Sequence, residues 1–140
     1  MDFGRYMALF LEGDDDAFCE AMFTEDVVME ASSRVVEGRP ALREFLAWAH
    51  DGVRELPRPQ IVVQTEKNIL AEIDMDFFAL RDRPDFLIKP MRRGETVTCK
   101  FFAVYALRGD RVCRLKTSYW PAGHLVTPAP DYRHLLAQTA

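Results

Sequence analysis

Apolar positions recur along the chain with two different periods. Over residues 2 to 12, Phe3, Tyr6, Met7 and Phe10 fall at i, i+3, i+4 and i+7. That spacing predicts a helix with one apolar face, stopped by Gly13. The acids Asp14, Asp15 and Asp16 supply an N-cap and a negative first turn for a second helix. It is predicted to run to about Phe23 and to bury Phe18, Ala21 and Met22. "VVME" and "RVVEG" read as a short hairpin. A third helix opens at "GRPALREFLAWAH", with Pro40 near its first position and Leu42, Phe45, Leu46 and Ala49 on one face. Gly52 ends it.

From residue 60 the period changes to two. "QIVVQTE", "NILAEIDMDFFAL", "ETVTCKFFAVYAL" and "RVCRLKTSYW" are rich in β-branched and aromatic residues and are divided by the turn signals "KN" and "RGD". A long loop, "RDRPDFLIKPMRRG", separates the second run from the third. A proline-rich tail follows Pro121 and ends in a short helix, "DYRHLLAQ". Helices first and a strand meander afterwards predict an α+β layout, with helices on one face of an antiparallel sheet. Residues 1 to 140 are expected to form a single domain, with 121 to 140 as its tail.

Within the second run, "AEIDMDFF" places Glu72, Asp74 and Asp76 at alternate positions between Ile73, Met75 and Phe77. Two readings are open. In one, the acids face outward and pair with Lys100, Arg114 and Lys116 across the outer face. In the other, Asp74 and its neighbours enter a pocket, where burial would raise a carboxylate toward the pKa of a general acid or base. The run at 97 to 107 is apolar on both faces, which points to a cover on each side and hence to a homodimer through the sheet's outer face.

Composition narrows the function classes. The net charge is −4 and the basic residues are scattered, so a nucleic-acid partner is not expected. No apolar run approaches a membrane span, and "MDFGRYMALF" lacks the features of a signal peptide. A cytoplasmic location is expected. Cys19, Cys99 and Cys113 show no C-x-x-C spacing and are expected to be reduced. His50, His124 and His134 are far apart, so no zinc site is expected. Neither a phosphate-binding glycine loop nor a metal cluster is present, so no cofactor is expected. "RGD" at 108 to 110 reads as a hairpin turn, and "EGDDDAF" as a helix cap rather than a calcium loop.

The stretch "YMALFLEGDDDAFCEAMFTEDVVMEASSRVVEGRPALREFL" resembles the opening of the nuclear transport factor 2-like superfamily, and "GDRVCRLKTSYW" resembles its last strand. That group includes ketosteroid isomerases, limonene epoxide hydrolases and SnoaL-type polyketide cyclases. The resemblance implies a cone-shaped, curved antiparallel sheet with three helices from the N-terminal half packed on its concave face, one deep apolar pocket and a homodimer. The isomerase pattern is kept in part. Its tyrosine matches Tyr6, its base falls on Ala31 and its second aspartate on Ala103. Against the hydrolase pattern, an Arg-x-Asp pair falls on Glu72 and Asp74, and the last-strand aspartate on Thr117.

The expectation is therefore a protein binding a small apolar, oxygen-bearing organic ligand. Isomerisation, cyclisation or hydration would proceed by acid–base chemistry. A non-catalytic binding or assembly module is the alternative. Tyr6 would donate to the ligand and Asp74 would act as acid or base. Trp48, Phe101, Tyr105, Leu115, Thr117 and Tyr119 would contact the ligand.

Overall fold

The structure is a computed structural model that describes residues 1–139, and the side chains of residues 1–137. Three helices form where the apolar spacing predicts them. In α1 (Phe3–Glu12) the Asp2 side chain accepts from the Arg5 amide, and Gly13 closes the helix at φ 83°, a conformation that suits glycine. In α2 (Asp15–Met22) the Asp14 side chain accepts from the Ala17 amide. α3 (Arg39–Ala49) starts with proline in its first turn and ends at His50.

Six strands follow the same chain order: β1 (Phe23–Ala31), β2 (Arg34–Glu37), β3 (Val53–Gln64), β4 (Asn68–Ala79), β5 (Thr96–Arg108) and β6 (Arg111–Tyr119). The tail ends in a 3-10 helix, Arg133–Thr139. β3 begins at Val53, earlier than the period-two run suggests. Pro57 and Pro59 obscure its start, yet both are tolerated because β3 is an edge strand, where a missing N–H need cost no ladder bond.

The sheet corrects the expected shape. It is a single open sheet of order β2-β1-β6-β5-β4-β3, not strongly curled and not a cone. It is also mixed rather than antiparallel, because β1 and β6 run parallel. After the β1–β2 hairpin, α3 carries the chain to the opposite edge. The meander from β3 then works back across the sheet, so β6 arrives beside β1 in the same direction. β2 and β3 remain as edges, one only four residues long and the other interrupted by prolines. The helices pack on one face of this sheet. No helix among the described residues is long and apolar enough to cross a membrane.

Register assigns every side chain to a face. Ile73, Met75 and Phe77 pair with Phe101, Cys99 and Val97, while Ala71 and Ile69 pair with Ala103 and Tyr105. Leu115, Thr117 and Tyr119 continue that inner face through Tyr105, Ala103 and Phe101. Asp74 pairs with Lys100 and Asp76 with Thr98, on the side away from the helices.

Facing outward does not leave these acids in water, because the chain's own tail lies over them. Asp74 and Asp76 are fully buried. Lys100 Nζ lies 2.6 Å from Asp74, which also accepts from the Thr127 amide at 3.0 Å and hydroxyl at 2.6 Å. Asp76 accepts from Arg58 Nε at 2.7 Å, Thr98 at 2.6 Å and Tyr132 at 2.5 Å. Burial works to raise the Asp74 pKa, but Lys100 and Thr127 overrule it and hold the carboxyl below its ordinary range. Part of the second cover over β5 is likewise internal, since Trp120 meets Phe102 edge to face at 5.0 Å.

Candidate active site

Between the helices and the inner face of the sheet lies a cavity of about 130 Å³. Met7, Phe10, Leu42, Phe45, Ile73 and Met75 are among its apolar walls. Tyr6, Glu55, Tyr105, Thr117 and Tyr119 are its polar-bearing residues. Tyr119 stacks on Phe101 at 5.0 Å and, like Leu87, is partly open to solvent, which marks the rim.

Tyr6 is buried in an aromatic cluster. It stacks on Phe3 and meets Phe18, Phe23 and Tyr105 edge to face. Burial, then Tyr105, then the Glu55 charge push its phenol well above the ordinary value. Tyr105 is raised for the same leading reason, burial, with Glu55 adding to it. Both phenols therefore stay un-ionised at ordinary pH, and because they hydrogen-bond to each other, one hydroxyl of the pair is left to donate into the apolar space.

Glu55 is the carboxylate in the cavity wall. Its pairing with Phe77 puts it on the inner face of β3. One of its oxygens lies 3.2 Å from His50 Nε2, and His50 Nδ1 lies 2.9 Å from Asp15 on the opposite side of the ring. Gly52, at φ 72°, makes the tight turn from the end of α3 into β3 that brings His50 beside Glu55. Burial disfavours the charged imidazole, but the bonds from Asp15 and Glu55 outweigh it and raise His50 to about 10.

Of the residues expected to meet a ligand, Tyr6, Phe101, Tyr105, Leu115, Thr117 and Tyr119 all line the cavity. Trp48 does not. It lies outside the cavity lining, 38% exposed, beside Phe45 and under the guanidinium groups of Arg34 and Arg83. Asp74 is on the far side of the sheet, and the strand's alternation that turns Ile73 and Met75 inward is what turns it away. The sequence reading missed Asp15, His50 and Glu55. Glu55 precedes the prolines that hid the start of β3. The spacing of His50 in the sequence speaks only against a metal site; its carboxylate partners become visible once α2, α3 and β3 are packed. Among the described residues, no group of three or more His, Cys, Asp or Glu could hold a metal ion.

The SnoaL-like domain matches residues 3–115. The chain belongs to this family. No curated protein shows significant similarity to it. Solved structures share the fold of this SnoaL-like chain at low identity. A candidate polyketide cyclase from Xanthomonas campestris is 22% identical with a TM-score of 0.69, covering 96% of this chain and 91% of its own. One from a Silicibacter species is 20% identical with a TM-score of 0.70, covering 84% and 85%. An epoxide hydrolase from M. tuberculosis is 12% identical with a TM-score of 0.64, covering 82% and 77%.

Proposed function

We propose that this SnoaL-like protein binds a small, mostly apolar ligand carrying a carbonyl or similar oxygen, and acts on it by acid–base chemistry. One observation carries the reading: an apolar cavity, open at the Tyr119 and Leu87 rim, is lined among the described residues by one carboxylate, Glu55, together with two un-ionised phenols, Tyr6 and Tyr105. A base and hydroxyl donors in a water-poor space are what proton removal next to a carbonyl requires. Glu55 takes the proton, the C–H electron pair becomes the C=C bond of an enolate, and the carbonyl π pair moves onto the ligand oxygen. Tyr6 donates a hydrogen bond to that oxygen. Returning the proton to another carbon gives isomerisation; attack of the enolate carbon on a second carbonyl forms a C–C bond and an alkoxide, which takes the proton back from Glu55 to complete cyclisation. Names borne by structural relatives, candidate polyketide cyclases among them, support this class of chemistry without supplying a substrate.

Volume limits the ligand. A dry apolar cavity of roughly 150 Å³ takes up benzene, so about 130 Å³ suits one small ring rather than a fused tetracycle. Cyclohexanone is a suitable probe, with methylcyclohexane as the apolar control. NMR in D₂O reports both binding and deuterium incorporation beside the carbonyl. Binding with accelerated exchange is expected, and Glu55→Gln should abolish the exchange while keeping the binding. Binding without exchange would favour the non-catalytic module, and absence of both would overturn the reading.

The homodimer is part of the same proposal. Ile61, Val63, Leu70 and Val104 are exposed on the outer face, adjacent through the β3–β4 and β4–β5 registers. Glu72 and Lys116 border this patch with opposite charges, an arrangement that suits a two-fold contact with a second copy. Sedimentation at micromolar concentration should give a dimer that Val104→Glu dissociates, and a monomeric wild type would refute it.

A further inference from the structure

We infer that His50 is a positioning residue: held between Asp15 and Glu55, it fixes the Glu55 carboxylate in the cavity wall as an oriented base. The inference rests on the function proposed above and assigns a role to two residues outside the cavity lining.

Three elements meet at this ring. Asp15 comes from the first turn of α2, His50 from the end of α3, and Glu55 from β3. An ionised carboxylate can only accept hydrogen bonds, and a neutral imidazole has only one N–H to give. A ring that bonds two carboxylates through both nitrogens must therefore carry both protons. The carbonyl end of α3 favours that positive charge further. Phe10 lies edge-on to the ring at 5.6 Å, and the side chain is only 17% exposed. Rotating the ring would break both bonds at once.

Neighbouring charges are engaged elsewhere. Arg39 lies 3.4 Å from Glu20, and Arg43 lies 3.6 Å from Asp16. Cys19, beside Asp15, is a buried thiol that burial and then Asp15 push up to about 11. Tyr6 and Tyr105 face Glu55 as un-ionised phenols. Among the described residues, His50 is the cation within ion-pair distance of Glu55. A clamp tying α2 to β3 could be made anywhere along them. This one grips the single carboxylate that the described residues contribute to the cavity lining, so the position of His50 sets the position of the base. Asp15 compensates the ring charge and locks its orientation, as the carboxylate partner of a catalytic histidine does, except that here the histidine stays charged and does not shuttle the proton.

The test has two independent arms in the full chain. Ring ¹³C and ¹⁵N shifts of His50, followed without ligand, should show both N–H protons retained up to about pH 10. Asp15→Asn and Glu55→Gln should each lower that midpoint. Titration of the wild-type ring near the ordinary value of about 6.5 would overturn the inference while leaving cyclohexanone binding untouched. In the second arm, His50→Gln should slow deuterium exchange tenfold or more with ketone affinity unchanged. His50→Ala should recover part of the rate when free imidazole is added. An unaltered exchange rate in His50→Gln would overturn the inference. If the wild-type protein neither binds nor exchanges the ketone, the proposed function fails, and the catalytic role of the clamp with it, whatever the ring titration shows.

Discussion

Tyr132 donates its hydroxyl to Asp76 at 2.5 Å, joining the tail to the middle of β4. The acceptor is fully buried and already holds Arg58 and Thr98. A second fastening lies beside it, where the Thr127 amide and hydroxyl reach Asp74. Hydrogen bonds to a charged partner are worth about 1.5–3 kcal/mol. Tyr132→Phe keeps the ring against Phe78 and removes only the hydroxyl. It should lower the melting temperature and make residues beyond Pro121 more susceptible to limited proteolysis. Cavity binding of cyclohexanone should be unaffected. Proteolysis at the wild-type rate would show that the tail is held by other contacts.

The tail is also where legibility in the sequence ran out. The alternation in "AEIDMDFF" correctly reads as a strand with an apolar face and an acidic face, because a period of two leaves no other arrangement. Nothing in the alternation says what covers the acidic face. That cover comes from Thr127 and Tyr132, more than fifty residues away, and the proline-rich tail has no periodicity to reveal it. Helix bounds were legible because Gly13, Asp14 and Pro40 are strong local stop and start signals, whereas the Asp2 cap shows only in the structure. The parallel β1–β6 pair and the open edges were not, since they follow from how α3 routes the chain across the sheet. At the cavity, residues on regular alternation were found. Glu55 was hidden by Pro57 and Pro59, and the Asp15–His50 contact exists only once α2 and α3 pack together.

Asp74 and Lys100 form a buried ion pair, and such a pair is costly to break on one side only. Removing one partner of a buried pair typically costs about 3–5 kcal/mol, because the other charge is left uncompensated. Asp74→Asn should therefore destabilise the protein in chemical denaturation and leave Lys100 without its 2.6 Å partner. Ketone affinity and exchange should stay at wild-type levels in the fraction that remains folded, because the side chain is on the face away from the cavity. A combined Asp74→Leu, Lys100→Met variant should regain much of the loss. A lowered exchange rate at full folding would place Asp74 in the chemistry after all.

Stability should respond to pH through two groups of opposite sign. Asp74 has a folded pKa below its unfolded value, so its contribution is present above about pH 4 and is lost as the pH falls through the folded pKa. His50 is raised to about 10 in the folded state. Its contribution is complete below the unfolded value of about 6.5 and is lost as the pH climbs from there toward 10. Denaturant midpoints measured from pH 6 to 10 should fall for the wild type and fall less for His50→Gln. Parallel slopes for the two proteins would mean that the clamp does not contribute.

Ala103 sits on the inner face of β5, between Ala71 and Thr117, and lines the cavity. Its small side chain leaves the central wall clear, so it is the position where added volume should displace a ligand without touching Glu55 or Tyr6. Ala103→Leu adds three carbons to a space of about 130 Å³. Overpacking a core costs about 1–3 kcal/mol, but here part of the new side chain enters existing space, so the cost should fall at the low end. The expected outcome is a folded protein with a nearly unchanged melting temperature and at least tenfold weaker cyclohexanone binding, with exchange reduced in proportion to occupancy. Tyr6→Phe provides the contrast, because it keeps the packing with Phe18 and Phe23 and removes one donor. It should leave the space open and lower the exchange rate at saturation by about 10²-fold, the usual cost of losing an oxyanion donor. If Ala103→Leu binds ketone as well as the wild type does, the ligand lies elsewhere and the cavity is only packing.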